Sequence, residues 1–174
     1  MTAENVIDRI RERLLALAEE VGWSSLSDAE RSDYYERWTR SPEIGGQLAH
    51  LMDPRKVRVY IKDSIVKPFE RHRLAAAEPL VWEALSMSPP DEVSEVYIKP
   101  HGRRLLDGRV ICWGNSRDWK LILMAAFERA WLAPDGSSFA AILVETGKTG
   151  SPSARRLVAA AAEKLAIVRL EWVD

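Results

Sequence analysis

The chain has 174 residues, 47% of them hydrophobic and 29% charged, with a formal net charge of −1. That length supports one well-buried core, or a core with a helical appendage. Near-neutrality excludes the strongly basic balance of a nonspecific nucleic-acid coat, so any phosphate binding must come from local charge. A single cysteine, Cys112, excludes an intramolecular disulfide and an all-cysteine metal site, and suits a reducing compartment, which we read as the cytoplasm.

The opening stretch MTAENVIDRIRERLLALAEEV sets Val6, Ile10, Leu14, Leu17 and Val21 at helical spacing, with Glu and Arg opposite. This predicts an amphipathic helix. It has the pattern of neither a signal peptide nor a spanning segment, and no later run reaches membrane length. Ser27 with Glu30 forms a capping box before RSDYYERWTR and predicts a second helix. Ser41-Pro42 and Asp53-Pro54 each place a side-chain acceptor before a proline that needs no donor, which predicts helices over 42–52 and 54–67. A short fifth helix fits 77–86, and the prolines of SMSPPDE mark a change of architecture near residue 90.

Beyond that point the period changes. Residues 95–99 alternate, and Asp107-Gly108 between RRLL and RVICW is a hairpin signal. Ser116 is the expected cap of the helical pattern RDWKLILMAAFERAWL, FAAILVE reads as a strand buried on both faces, and 152–165 as an alanine-rich helix before a final strand in AIVRLEWV. The expected fold is α/β with α+β character: an N-terminal helical segment (1–90), then a strand meander and a βαβαβ-like C-terminal half (91–174) in a mixed sheet. The last two strands should be parallel neighbours through right-handed crossovers. The tryptophans read as packing residues: Trp82, Trp119 and Trp131 fall in helical patterns and are expected in the core, while Trp113 is the one that the pattern supports least.

Charge is uneven along this plan. Residues 54–73 carry seven basic and two acidic residues, against six and eleven in the first 53. At 100° per residue Val57, Tyr60, Ile61 and Ile65 share one face of the predicted helix, and Arg55, Arg58 and Lys62 another. Following a short helix and a tight turn, this basic helix has the layout of the second helix of a helix-turn-helix. The competing reading is a solvated face that offsets the acidic N-terminal third. KPHGRR adds His101, Arg103 and Arg104 on what reads as a basic loop. Nucleic-acid binding through helix and loop is the preferred expectation. A non-catalytic interaction module is the alternative, with the N-terminal helix docking a protein partner or a second copy.

The stretch ILVETGKTGSPSARRLV joins a strand to a helix through Gly147, Lys148, Gly150 and Ser151. Free backbone donors at a helix start can bind an anion. The spacing matches neither the P-loop nor the dinucleotide fingerprint, so an ordinary connection competes with an anion site, and no cofactor is implied. The three histidines, His50, His72 and His101, lack metal-ligand spacing, and no metal site is predicted.

A three-stranded meander followed by a helix and a strand resembles two nuclease scaffolds, the restriction-endonuclease-like and the ribonuclease H-like cores. The first resemblance implies an acid, a spacer and a lysine on a central strand, and neither RRLL nor RVICW supplies them. The second implies acids in the first strand, the following helix and the end of the fourth strand, holding two metal ions. Glu128 and Glu145 are the candidates for the last two, and Glu95 fits the first poorly. A metal-dependent phosphodiesterase is therefore the further alternative, with these carboxylates as plain surface charges against it.

Overall fold

The computed structural model describes residues 3–132, 137–145 and 150–173. Its contacts divide the chain into two compact units, Met1–Arg73 and Leu74–Asp174.

In the first unit, helix α1 (Ala3–Glu20) buries Ile10, Leu14 and Ala18, with Val6, Leu17 and Val21 packed at the edge of the same core. The predicted apolar stripe is thus the buried one. A 3-10 turn at Trp23–Ser25 leads to α2 (Asp28–Arg40), whose capping box forms as expected: Ser27 accepts from Glu30 N, and Glu30 accepts from Ser27 N at 2.7 Å. Trp23 stacks on Trp38 with centroids 5.1 Å apart, and Tyr35 meets both rings edge-on.

The segment predicted as one helix over 42–52 is a π-helical turn, Pro42–Gly46, followed by the short α3 (Gln47–Ala49). Gly45 is needed there, since a Cβ would sit 1.8 Å from Thr39 O. From Pro54 the backbone stays helical to Ala76, through α4 (Pro54–Tyr60), a π-helical stretch (Ile61–Val66) and α5 (Lys67–Ala76). The cause of the wide stretch is Pro68. Its ring would strike the carbonyl four residues back in an α-helix, and the wider turn instead lets Lys67 N reach Lys62 O, five back. Buried Val57, Ile61 and Ile65 therefore recur every four residues.

The second unit begins with α6 (Glu78–Ala84). The change from helices to strands falls where SMSPPDE placed it. Strands β1 (Glu95–Ile98), β2 (His101–Arg104) and β3 (Arg109–Asn115) form the antiparallel meander. The cap expected at Ser116 is Asn115 instead, whose Oδ1 accepts from Arg117 N at 3.1 Å, because a 3-10 turn (Ser116–Asp118) precedes the α-helix. Helix α7 (Trp119–Trp131) leads to β4 (Ser137–Val144), and α8 (Pro152–Lys164) to β5 (Arg169–Val173). The sheet order is β1-β2-β3-β4-β5, with β3, β4 and β5 mutually parallel, which is the mixed α/β arrangement expected. Because the order advances in one direction, right-handed crossovers put both connecting helices on one face. There Ile122, Leu123 and Ala126 of α7 and Val158 of α8 pack on Val110, Cys112, Ala141 and Leu143. On the other face Val81, Trp82 and Leu85 cover Ile111, Trp113 and Ile142. Arg169 finishes α6 by donating to Ala84 O and Leu85 O at 3.0 and 2.7 Å.

One tryptophan departs from expectation, and another is placed by the fold. Trp131 is 78% exposed at the end of α7, because helical spacing sets it on the face turned from the sheet. Trp113, the one that the pattern supports least, is fully buried and donates from Nε1 to Leu74 O at 2.9 Å.

Candidate nucleic-acid interface

The basic helix starts where Asp53 accepts from Arg55 N at 2.9 Å and Pro54 takes the first position. Its inward line is fixed by Val57, Ile61, Ile65 and Val66, all at most 2% exposed. What faces solvent follows from that anchoring. Arg55, Lys56 and Lys62 are exposed, with Val59 between them at 57% exposure, and none of the three cations enters an ion pair among the described residues. The two acids of the segment are otherwise engaged. Asp63 pairs with Lys67 at 2.7 Å, its carboxyl held below its usual range by that bond, and Glu70 pairs with the buried Arg31 at 2.7 Å.

Arg58 does not join this face. Its Nη2 donates to Ser32 Oγ at 3.0 Å, its Nε lies 3.8 Å from Glu36, and its guanidinium stands over the Tyr35 ring. It fastens α4 to α2. The reason is angular: Arg58 adjoins Val57 and flanks the buried line, so the neighbouring helix reaches it. Lys56, omitted from the predicted trio, takes its place outside; the same 100° rule applied around Val59 finds it.

The second predicted patch is not a loop. His101, Arg103 and Arg104 lie on β2, where alternation sends them to opposite faces. His101 is buried and stacks on Trp113, its partner across the sheet, at 5.8 Å. Arg103 pairs with Glu78 and covers the same Trp113 ring. On the other face Arg104 donates to Tyr97 Oη and Arg129 O at 2.9 and 3.0 Å and lies 3.4 Å from Glu95. The Tyr97 hydroxyl, followed by Arg104, holds the Glu95 carboxyl below its ordinary range, while burial pushes the Tyr97 hydroxyl up. These cations are bound into the sheet unit.

The carboxylates proposed for metal ions do not converge. Ser138 at the start of β4 donates to Ala126 O, so Glu128, exposed near the end of α7, stands by that end. Glu145 follows the other end of β4, seven residues or roughly 23 Å away. Glu95 is on the edge strand β1, three strand positions or roughly 14 Å from β4. Two metal ions about 4 Å apart cannot bridge such separations. Among the described residues no three His, Cys, Asp or Glu side chains are grouped for a metal. Glu145 has a local task instead: buried, it accepts from Gly150 N at 3.0 Å and pairs with Arg155, whose guanidinium lies over Trp172.

That bond bears on the strand-to-helix turn. Gly147 and Lys148 lie outside the described residues. Of the remainder, Gly150 N serves the Glu145 carboxylate, and Ser151 Oγ accepts from Ala154 N at 3.2 Å as the cap of α8. His50 and His72 are exposed and distant in sequence from any other candidate ligand pair. The chain matches no protein-family model, and no curated protein or solved structure shows significant similarity to it.

Proposed function

We propose that the chain binds nucleic acid through the solvent face of residues 54–62, with Arg55, Lys56 and Lys62 on phosphates and Val59 against the groove or a base. The observation that supports this reading is the segregation of charge on one anchored helix. The cations that could offset local acids do so elsewhere, and three remain outward within eight residues. Flexible lysines and arginine on a rigid helix suit phosphate contact, which gives affinity before it gives sequence preference. The β2 cations contribute to the sheet unit and not to this interface.

The competing docking role for α1 finds less support, since the apolar stripe meant for a partner packs in its own unit. No described helix is long and apolar enough to cross a membrane. A reducing compartment such as the cytoplasm fits the single, buried Cys112. The test is fluorescence anisotropy with labelled duplex DNA, single-stranded DNA and RNA. Arg55→Glu, Lys56→Glu and Lys62→Glu together should abolish binding while the circular dichroism spectrum is retained. Unchanged affinity in that triple variant overturns the proposal.

A further inference from the structure

Helix α7 buries one face against the sheet and leaves the other apolar. Leu121, Met124 and Trp131 are 58%, 42% and 78% exposed, and half-buried Phe127 stacks on Trp131 with centroids 6.0 Å apart. Single exposed apolar residues are ordinary; a strip along a whole helix marks a contact surface. At 100° per residue these four positions lie within about 60° of Met124 on the helical wheel. Two charged residues share the strip, Lys120 and Glu128, both exposed.

Their placement identifies the occupant. Lys120 is four residues before Met124 and Glu128 four after it, so the strip carries opposite charges at equal distances from its centre. A second α7 laid antiparallel across a two-fold axis at Met124 sets each Lys120 against Glu128 of the other copy. The same operation brings Leu121 to Phe127 and Met124 to Met124. A two-fold contact requires such self-complementarity, with residue i meeting j and j meeting i. A parallel arrangement would oppose like charges. We propose that the protein self-associates through this face as an antiparallel α7 pair. Helix α8 packs on the same side of the sheet and exposes Leu157, which enlarges the surface beyond what one helix provides.

Sedimentation equilibrium of the full chain over a wide concentration range tests the pairing. Wild type should reach twice the chain mass. Lys120→Glu and Glu128→Lys, each alone, oppose like charges at both symmetry-related contacts and should each raise the dissociation constant about tenfold. Mixing the two single variants restores both attractive contacts, and the mixture should dimerise as wild type does. Met124→Glu, which places two carboxylates on the axis, should give a monomer with an unchanged circular dichroism spectrum. A wild type that stays monomeric up to its solubility limit overturns the inference. So does a dimer insensitive to the single charge changes, or a mixture that fails to recover.

Discussion

Arg129 Nη1 donates to Cys112 Sγ at 3.2 Å across the bare backbone of Gly102. The Arg129 guanidinium leaves α7, crosses β2 and ends over the Tyr97 ring, where Nη2 also donates to Lys99 O and Pro100 O at 3.1 and 3.0 Å. Gly102 makes the crossing possible. A Cβ there would lie 2.9 Å from Arg129 Nη1 and 2.6 Å from Ile111 O, and the latter is backbone that cannot swing aside. Burial meanwhile pushes the Cys112 thiol up, so it stays a neutral packing group.

Gly102→Ala should therefore destabilise the sheet unit by about 1–3 kcal/mol, the usual cost of overpacking. Urea unfolding followed by tryptophan fluorescence measures it. An undiminished midpoint would mean that β2 and β3 separate at no cost.

Much of this architecture was legible because it depends on neighbours in sequence. The α1 stripe, the Ser27–Glu30 box, the Asp107-Gly108 hairpin and the apolar run of β4 are each decided within a few residues. What escaped the reading is decided across the fold. Arg31 carries no signal in its local pattern, yet it is buried, donating to Trp23 O at 2.8 Å and pairing with Glu70 far along the chain. Helical period sets Arg58 outward, but the period does not tell which flank a second helix occupies. His101, Arg103 and Arg104 read as a loop because a four-residue strand of polar side chains lacks an apolar alternation. The metal reading failed on sheet order: strand content was predictable, whereas the distance from Glu95 to Glu145 depends on which strands lie between.

Acid should loosen the β2–β3 hairpin. The Arg109 backbone N–H, followed by the Arg109 guanidinium, lowers the Asp107 carboxyl below its ordinary range. A carboxylate with a depressed folded-state pKa adds stability above its unfolded value, and that stability is lost as pH falls through the folded value. Wild type should then lose more stability between neutral pH and pH about 3 than Asp107→Asn, which retains an acceptor for Arg109 N but does not titrate. Parallel pH profiles for the two proteins would remove Asp107 from the account.

Glu145 and Arg155 should behave as a coupled pair. Glu145 is 2% exposed at its side chain and Arg155 38%, so the two truncations are unequal. Arg155→Ala leaves a buried carboxylate with Gly150 N, and should cost about 1–3 kcal/mol once the partial exposure of Arg155 is allowed for. Glu145→Gln keeps an acceptor for Gly150 N and lets Arg155 turn to water, so about 1 kcal/mol is expected. On the Glu145→Gln background Arg155→Ala should cost less than it does alone, and thermal melts of the four proteins complete the cycle. Additive losses would separate the two residues.

Salt dependence gives the sharpest reading of the proposed interface, because it counts phosphates without needing a preferred sequence. Each neutralised phosphate releases counterions and contributes about −0.9 to the slope of log affinity against log salt on duplex DNA. Contacts from Arg55, Lys56 and Lys62 together predict a slope of about −2.7, and Lys62→Gln should flatten it by about 0.9 while weakening all sequences alike. Arg58→Gln is the informative contrast. Its guanidinium holds Ser32 Oγ and covers Tyr35, so its loss should lower the melting temperature of the helical unit and leave the slope where wild type has it. A slope that falls with Arg58 and not with Lys62 would place the phosphates on the flank of the helix next to α2, and would move the interface away from the face built around Val59.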